Sequence, residues 1–131
     1  MSAGKPFFDT NVLLYLLSAD KKADKAEALL ALGGVVSVQV LNEFASVSSR
    51  KYQLAWPEVR EALATIRAGC EVIPLTVEIH EGGLAIAEKY GLSFYDSLIL
   101  AASVHAKCRM VYSEDMQHGQ VVQGVTIRNP F

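Results

Sequence analysis

A chain of 131 residues with 12 basic and 14 acidic side chains, net charge −2, is the length of one domain, here 1–131, and lacks the basic excess of general polyanion-binding domains. Its apolar fraction of 51% and mean hydropathy of +0.24 are enough for a real core and a well-covered sheet. No signal-peptide pattern and no run near the roughly 20 apolar residues of a membrane span is present, and Cys70 and Cys108 form no C-x-x-C pair; the expectation is a cytoplasmic protein with two buried, reduced thiols.

In chain order, Phe7-Phe8 reads as a short buried strand and residues 10–17 as a helix turning off its end. Lys22–Leu32 is an amphipathic helix with Ala26, Leu29 and Leu30 on one face, closed by Gly33-Gly34. Residues 35–38 form a second strand, and a helix follows over 39–51 with Ser37 as its cap. Pro57 suits the first turn of a helix ending near Gly69. A strand over 71–75 precedes a helix over 76–90, weakened by Gly82-Gly83. Another helix covers 93–107, then come a strand over 109–112, a polar loop and a last strand over 125–127. This alternation predicts an α/β fold whose central sheet is mainly parallel and covered on both faces.

Four acids fall just past strands or in the opening turns of helices: Asp9, Glu43, Asp96 and Asp115. In an open parallel sheet such positions line one edge, where ligands bind. Carboxylates gathered there repel, by about 4 kcal/mol per pair at ~4 Å and an effective dielectric near 20. The cluster therefore calls for a hard divalent cation or raised pKa values. Each acid also has a plainer reading. Asp9 could cap the following helix, and Asp96 could serve the helix start three residues after Ser93. Glu43, on the edge of the stripe Val40, Phe44 and Val47, could be a solvated rim residue. Asp115 could belong to an ordinary turn, with neighbouring Glu114 as the alternative ligand. The helix around Asp96 is apolar nearly all round, apart from a narrow stripe through Asp96, Ser103 and Lys107, and reads as centrally buried.

The segments FFDTNVLLYLL, SVQVLNEFASV, GLSFYDSLILAAS and VYSEDMQHG occur in an order and spacing that resemble the PIN-domain family, in particular the VapC-type toxins of toxin–antitoxin pairs. Residue by residue, Asp9, Glu43, Asp96 and Asp115 match that family's acidic quartet. Ser113 matches a supporting Thr/Ser position, and Thr10 and Asn11 match the family's start. The resemblance implies a three-layer α/β/α sandwich with about four to five strands in the sheet. It implies an endoribonuclease dependent on Mg²⁺ or Mn²⁺, with Asp9 and Asp96 as principal ligands. It further implies RNA as substrate, a small antitoxin as partner and a homodimer.

Beyond the acids, SSRKYQLAW holds Arg50, Lys51, Tyr52 and Trp56, a basic and aromatic cluster suited to phosphate pairing and base stacking. Its plainer reading packs Trp56 in the core. Lys21-Lys22 reads as a solvated turn or a second basic edge. His118 lies close enough to Asp115 to touch substrate, His105 reads as a satisfied core histidine and His80 as exposed. Two other functions remain: a PIN fold that binds RNA or protein without cutting, and a Mg²⁺-dependent phosphatase using Asp9. Against the phosphatase, Asn11 stands where its usual pattern has a second aspartate.

Overall fold

The computed structural model describes residues 4–131, so the first three residues of the expected 1–131 domain lie outside it. Among the described residues there are six strands: β1 (Phe7–Phe8), β2 (Gly34–Ser37), β3 (Cys70–Ile73), β4 (Met110–Tyr112), β5 (Val121–Val122) and β6 (Val125–Arg128). Six α-helices accompany them: α1 (Thr10–Leu14), α2 (Lys22–Leu32), α3 (Val38–Arg50), α4 (Trp56–Gly69), α5 (Val77–Tyr90) and α6 (Phe94–His105). The sheet order is β3-β2-β1-β4-β6-β5, parallel except for β5 against β6. The helices pack as two groups, α1 to α4 and α5 with α6, around this sheet in the expected three-layer α/β/α sandwich.

Six strands replace the expected four to five. The added β5 comes from the segment read as a polar loop. It pairs Val122 with Val125 through a two-residue turn, Gln123-Gly124, whose φ values are 49° and 84°. Such a turn matches the twist of a hairpin and is usually announced by Asn-Gly or Asp-Gly. The expected helix over 10–17 is two pieces, α1 and a 3₁₀ turn at Tyr15–Leu17.

The caps follow local chemistry. Ser37, Thr76 and Ser93 each accept a hydrogen bond from the backbone N–H three residues on. Helix α6 is buried from Ser97 through Ser103. The hydroxyls of Ser97 and Ser103 are satisfied inside it by the carbonyls of Ser93 and Ile99. Ser103 is therefore core rather than part of an open polar stripe, while His105, expected in the core, is exposed, as is His80. Trp56 is also outside the core, 63% exposed at the start of α4. Cys108 is buried, Cys70 half-buried, and both are free thiols pushed up to about 11 by burial. Such protonated thiols are poor nucleophiles. Among the described residues no helix is long and apolar enough to cross a membrane.

Two glycine sites mark close approaches. Gly83 faces Leu98, and Gly82 faces Ala101, which lets α5 and α6 pack tightly. A Cβ on Gly34 would lie 2.3 Å from Phe8 Cε2 and 2.8 Å from the Pro6 carbonyl oxygen. That carbonyl accepts the Val35 N–H at 2.9 Å, so the β1–β2 seam itself would have to open. Gly34→Ala is expected to destabilise the fold by about 3 kcal/mol, the upper end for overpacking. Thermal unfolding should show a Tm lower by roughly 10 °C. An unchanged Tm would mean that the seam yields freely.

Candidate acidic site at the β1–β4 seam

From β1 the chain moves outward through β2 and β3, then returns to the other side of β1 as β4. This reversal opens a crevice beyond the carboxyl ends of β1 and β4, the usual ligand position in such sheets. Asp9 follows β1 directly. Its N–H donates to the Tyr112 carbonyl at 2.9 Å, one rung beyond the ladder. Ser113, Glu114 and Asp115 leave the end of β4 beside it.

The two oxygens of Asp9 serve two purposes. Oδ1 accepts the Thr10 N–H at 2.7 Å and caps α1. Oδ2 accepts from Ser113 Oγ at 2.9 Å and from Asn11 Nδ2 at 3.1 Å. Asp9 is only 6% exposed. Burial pushes its pKa up to about 6, and the charges of Asp96 and Glu43 add to the rise. The hydrogen bonds from Ser113 and Thr10 pull the other way without cancelling it.

Asn11 links both sides of the crevice. Its Nδ2 lies 3.1 Å from Asp115 Oδ2 as well as 3.1 Å from Asp9, and its Oδ1 accepts the Glu114 N–H at 2.9 Å. Ser113 Oγ also accepts the Met116 N–H at 3.2 Å, which closes the turn. Glu43, half-buried on α3, accepts from Gln39 Nε2 at 3.2 Å and from Thr10 Oγ1 at 3.4 Å. Asp96 is half-buried in the first turn of α6, its N–H held by Ser93 Oγ at 3.2 Å. For Asp9, capping through Oδ1 leaves Oδ2 to Ser113 and Asn11, so one geometry accommodates both readings.

Glu114 is engaged elsewhere. Its Oε2 accepts from Lys22 Nζ at 2.6 Å and its Oε1 from the Tyr15 hydroxyl at 2.6 Å. Lys22 holds its carboxyl below the usual range, and Glu114 in turn lifts Lys22 to about 12. Lys22 is therefore neither a free basic edge nor a solvated turn. Of the two neighbouring acids, it is Asp115 whose carboxylate bonds to Asn11, while Glu114 meets Asn11 only through its backbone N–H.

Among the described residues no three Asp, Glu, His or Cys side chains stand close enough to hold an ion as they are. The acids are instead spaced by Asn11, Ser113, Thr10 and Gln39. The donor set still fits a hard cation, being all carboxylate oxygen with amide and hydroxyl support. The Gln39 Oε1 atom is consistent with a hydrated ion, since it is buried with no hydrogen-bond partner in the structure.

A cavity of about 380 Å³ adjoins Asp115, the one member of the quartet that lines it. Its walls include Asn11, Tyr15, Lys51, Tyr52, Glu114 and Asp115. It takes in two of the four expected substrate contacts. Arg50 instead bonds Ser46 Oγ at 3.1 Å, and His118 Nδ1 accepts the Asn129 N–H at 2.9 Å; neither lines this cavity. A larger groove, about 730 Å³, contains none of the four acids and runs between α2 and α4 past Leu17, Leu30, Leu32 and Ala62.

Gln39, Tyr15 and Lys22 join this neighbourhood, although none of them is a candidate site residue from the sequence. Gln39 had a signal, since it lies four residues before Glu43 on the same helical face. Its Nε2 also lies 3.5 Å from the Tyr95 carbonyl, which ties α3 to the start of α6. Tyr15 and Lys22 had none, being remote in sequence from Glu114.

The fold is shared with several solved structures. The chain is similar to a toxin–antitoxin complex from Klebsiella pneumoniae, with TM-score 0.72 and 23% identity over 96% of this chain and 98% of that one. It is similar to VapC20 of Mycobacterium tuberculosis, a toxin that cleaves the sarcin–ricin loop, with TM-score 0.66 and 21% identity over 83% and 88%. It also resembles VapBC2 of Rickettsia felis bound to a promoter DNA fragment, with TM-score 0.64 and 17% identity over 94% and 96%. No curated protein sequence matches the chain significantly. The PIN domain family matches over residues 7–122, from β1 through β5 and across all four acids, and the chain belongs to that family.

Proposed function

We propose that this protein is a divalent-metal-dependent endoribonuclease of one domain, 1–131, acting as the toxin of a toxin–antitoxin pair in the cytoplasm. The observation that carries the reading is the setting of Asp9. It is a buried carboxylate at the β1–β4 seam, joined through Asn11 to Asp115 and facing the charges of Glu43 and Asp96. Membership of the PIN family supports it. Asp9 and Asp96 would be the principal ligands of Mg²⁺ or Mn²⁺, with Glu43 and Asp115 completing the site, mostly through water. A bound ion supplies an acidified water and neutralises charge on the phosphate.

The chain's own residues do the rest. Ser113 and Asn11 orient Asp9, Thr10 and Gln39 orient Glu43, and Asn11 fixes Asp115. Lys51 and Tyr52 would hold the RNA, by phosphate pairing and by stacking on the 39%-exposed tyrosine ring. Arg50 and His118 would contact RNA only farther from the acids. The α2–α4 groove, with Leu32 81% exposed beside it, would suit an apolar antitoxin segment. A homodimer is part of the same reading.

Purified protein is expected to cut total RNA into discrete fragments in Mg²⁺ or Mn²⁺ and to stop in EDTA. The fragment ends would name the target. A folded, partner-free protein that binds the ion and cuts nothing would favour the non-cleaving module.

A further inference from the structure

We propose that Lys22 is a positioning residue for the acidic site, acting through Glu114 and resting on the metal-site reading above. Both oxygens of Glu114 are engaged, one by Lys22 Nζ and one by the Tyr15 hydroxyl, each at 2.6 Å. Lys22 Nζ also lies 3.2 Å from the Tyr15 hydroxyl, so each member of the triad touches the other two. The Tyr15 ring is backed edge-on by Phe131, with centroids 4.9 Å apart, and Lys22 Nζ sits 5.4 Å from that second ring. Three elements meet here: the 3₁₀ turn after α1, the first turn of α2 and the turn after β4.

The fastening acts on Asp115. The Glu114 N–H donates to Asn11 Oδ1, and Asn11 Nδ2 reaches both Asp9 and Asp115. A single amide group therefore bridges the two carboxylates. Ser113 Oγ ties the two ends of the Ser113–Met116 turn to Asp9 and to each other, which leaves the Glu114-Asp115 apex, whose outward swing would separate Asp115 from Asp9. The Lys22–Glu114–Tyr15 triad supplies the restraint, pulling the turn back against α1 by a charge-assisted pair. It also withholds Glu114 from the site, so that one acid of the Glu114-Asp115 pair faces inward. A half-exposed ion pair adds little to global stability, so its value lies in placement.

The test compares Lys22→Met, Glu114→Gln and Lys22→Arg with the wild type, using Mn²⁺ alone as the probe. Mn²⁺ affinity is read by titration calorimetry, and amide exchange at Glu114 and Met116 by NMR in the absence of metal. Lys22→Met and Glu114→Gln should keep a near-wild-type Tm, bind Mn²⁺ roughly 10-fold more weakly, and exchange faster at those two amides. Lys22→Arg should restore both readouts. Faster exchange with unchanged Mn²⁺ affinity would make the triad a structural fastener and overturn the positioning role, as would no change in either. Should Lys22→Met fail to fold, the near-isosteric Glu114→Gln carries the same test. A wild type that binds no Mn²⁺ overturns the metal-site reading itself, an outcome distinct from any difference among the variants.

Discussion

Asp96→Asn is expected to remove metal-dependent RNA cleavage while leaving the protein folded. Partners that act only through a metal ligand typically cost 10- to 100-fold when lost, and a direct ligand should cost more, so kcat is expected to fall by well over ~100-fold. Folding should tolerate the change. Asp96 is half-buried at a helix end, and its N–H bond to Ser93 is retained by asparagine. Losing a charge from the first turn of α6 costs about 0.3–1 kcal/mol, partly offset by weaker repulsion of Asp9. The comparison needs kcat from single-turnover cleavage and Tm from thermal unfolding. Cleavage at the wild-type rate in the variant would show that the scissile chemistry is elsewhere or belongs to a contaminating nuclease.

The second large effect concerns stability against pH, with opposite signs in EDTA and in Mn²⁺. Asp9 has a folded pKa of about 6 against an ordinary value of 3.8. The fold thus favours the protonated acid, and the stabilisation is full below about pH 4 and lost as pH rises through 6. A shift of about two units corresponds to roughly 3 kcal/mol. Without metal, Tm should therefore fall between pH 5 and pH 7.5. Glu114, whose pKa is lowered by Lys22, works in the other direction but only at more acid pH. Mn²⁺ prefers the ionised carboxylate and should restore stability at pH 7.5, by about 2.7 kcal/mol at 100 times its Kd, and have little effect at pH 5. Thermal melts at the two pH values, with EDTA or Mn²⁺, read this directly. An EDTA Tm that rises from pH 5 to 7.5 would contradict the buried-carboxylate account of Asp9.

Much of the architecture is written locally. Helix α2 runs over Lys22–Leu32 as its apolar face and the Gly33 cap require, Gly34 already belonging to β2, and Ser37 and Ser93 cap where their side chains can reach the next turn. Such features depend on neighbours within a few residues, and periodicity exposes them. The same holds for the strand-end and helix-start positions of Asp9, Glu43, Asp96 and Asp115. Their individual surroundings did not follow from spacing. Trp56 is aromatic and His105 lies on a buried helix, yet both are exposed, because which face of an element meets the core is set by packing. Strand β5 was hidden because Gln-Gly is a weak turn signal and two residues carry no readable period.

By itself, the sequence determined the order of the elements, most of the caps and the parallel sheet that brings strand ends to one edge. The tertiary structure decided what happens at that edge. Asn11 meets Asp115 across 104 positions, Lys22 takes Glu114 from 92 positions away, and Gln39 reaches the backbone ahead of Asp96. It also decided that Gly34, legible only as the end of a helix, is where Phe8 and β1 leave no room for a side chain. Hydrophobic period and capping are properties of short segments. Pairing among polar groups far apart in the chain depends on the sheet order, which places β4 beside β1 and so brings their loops together.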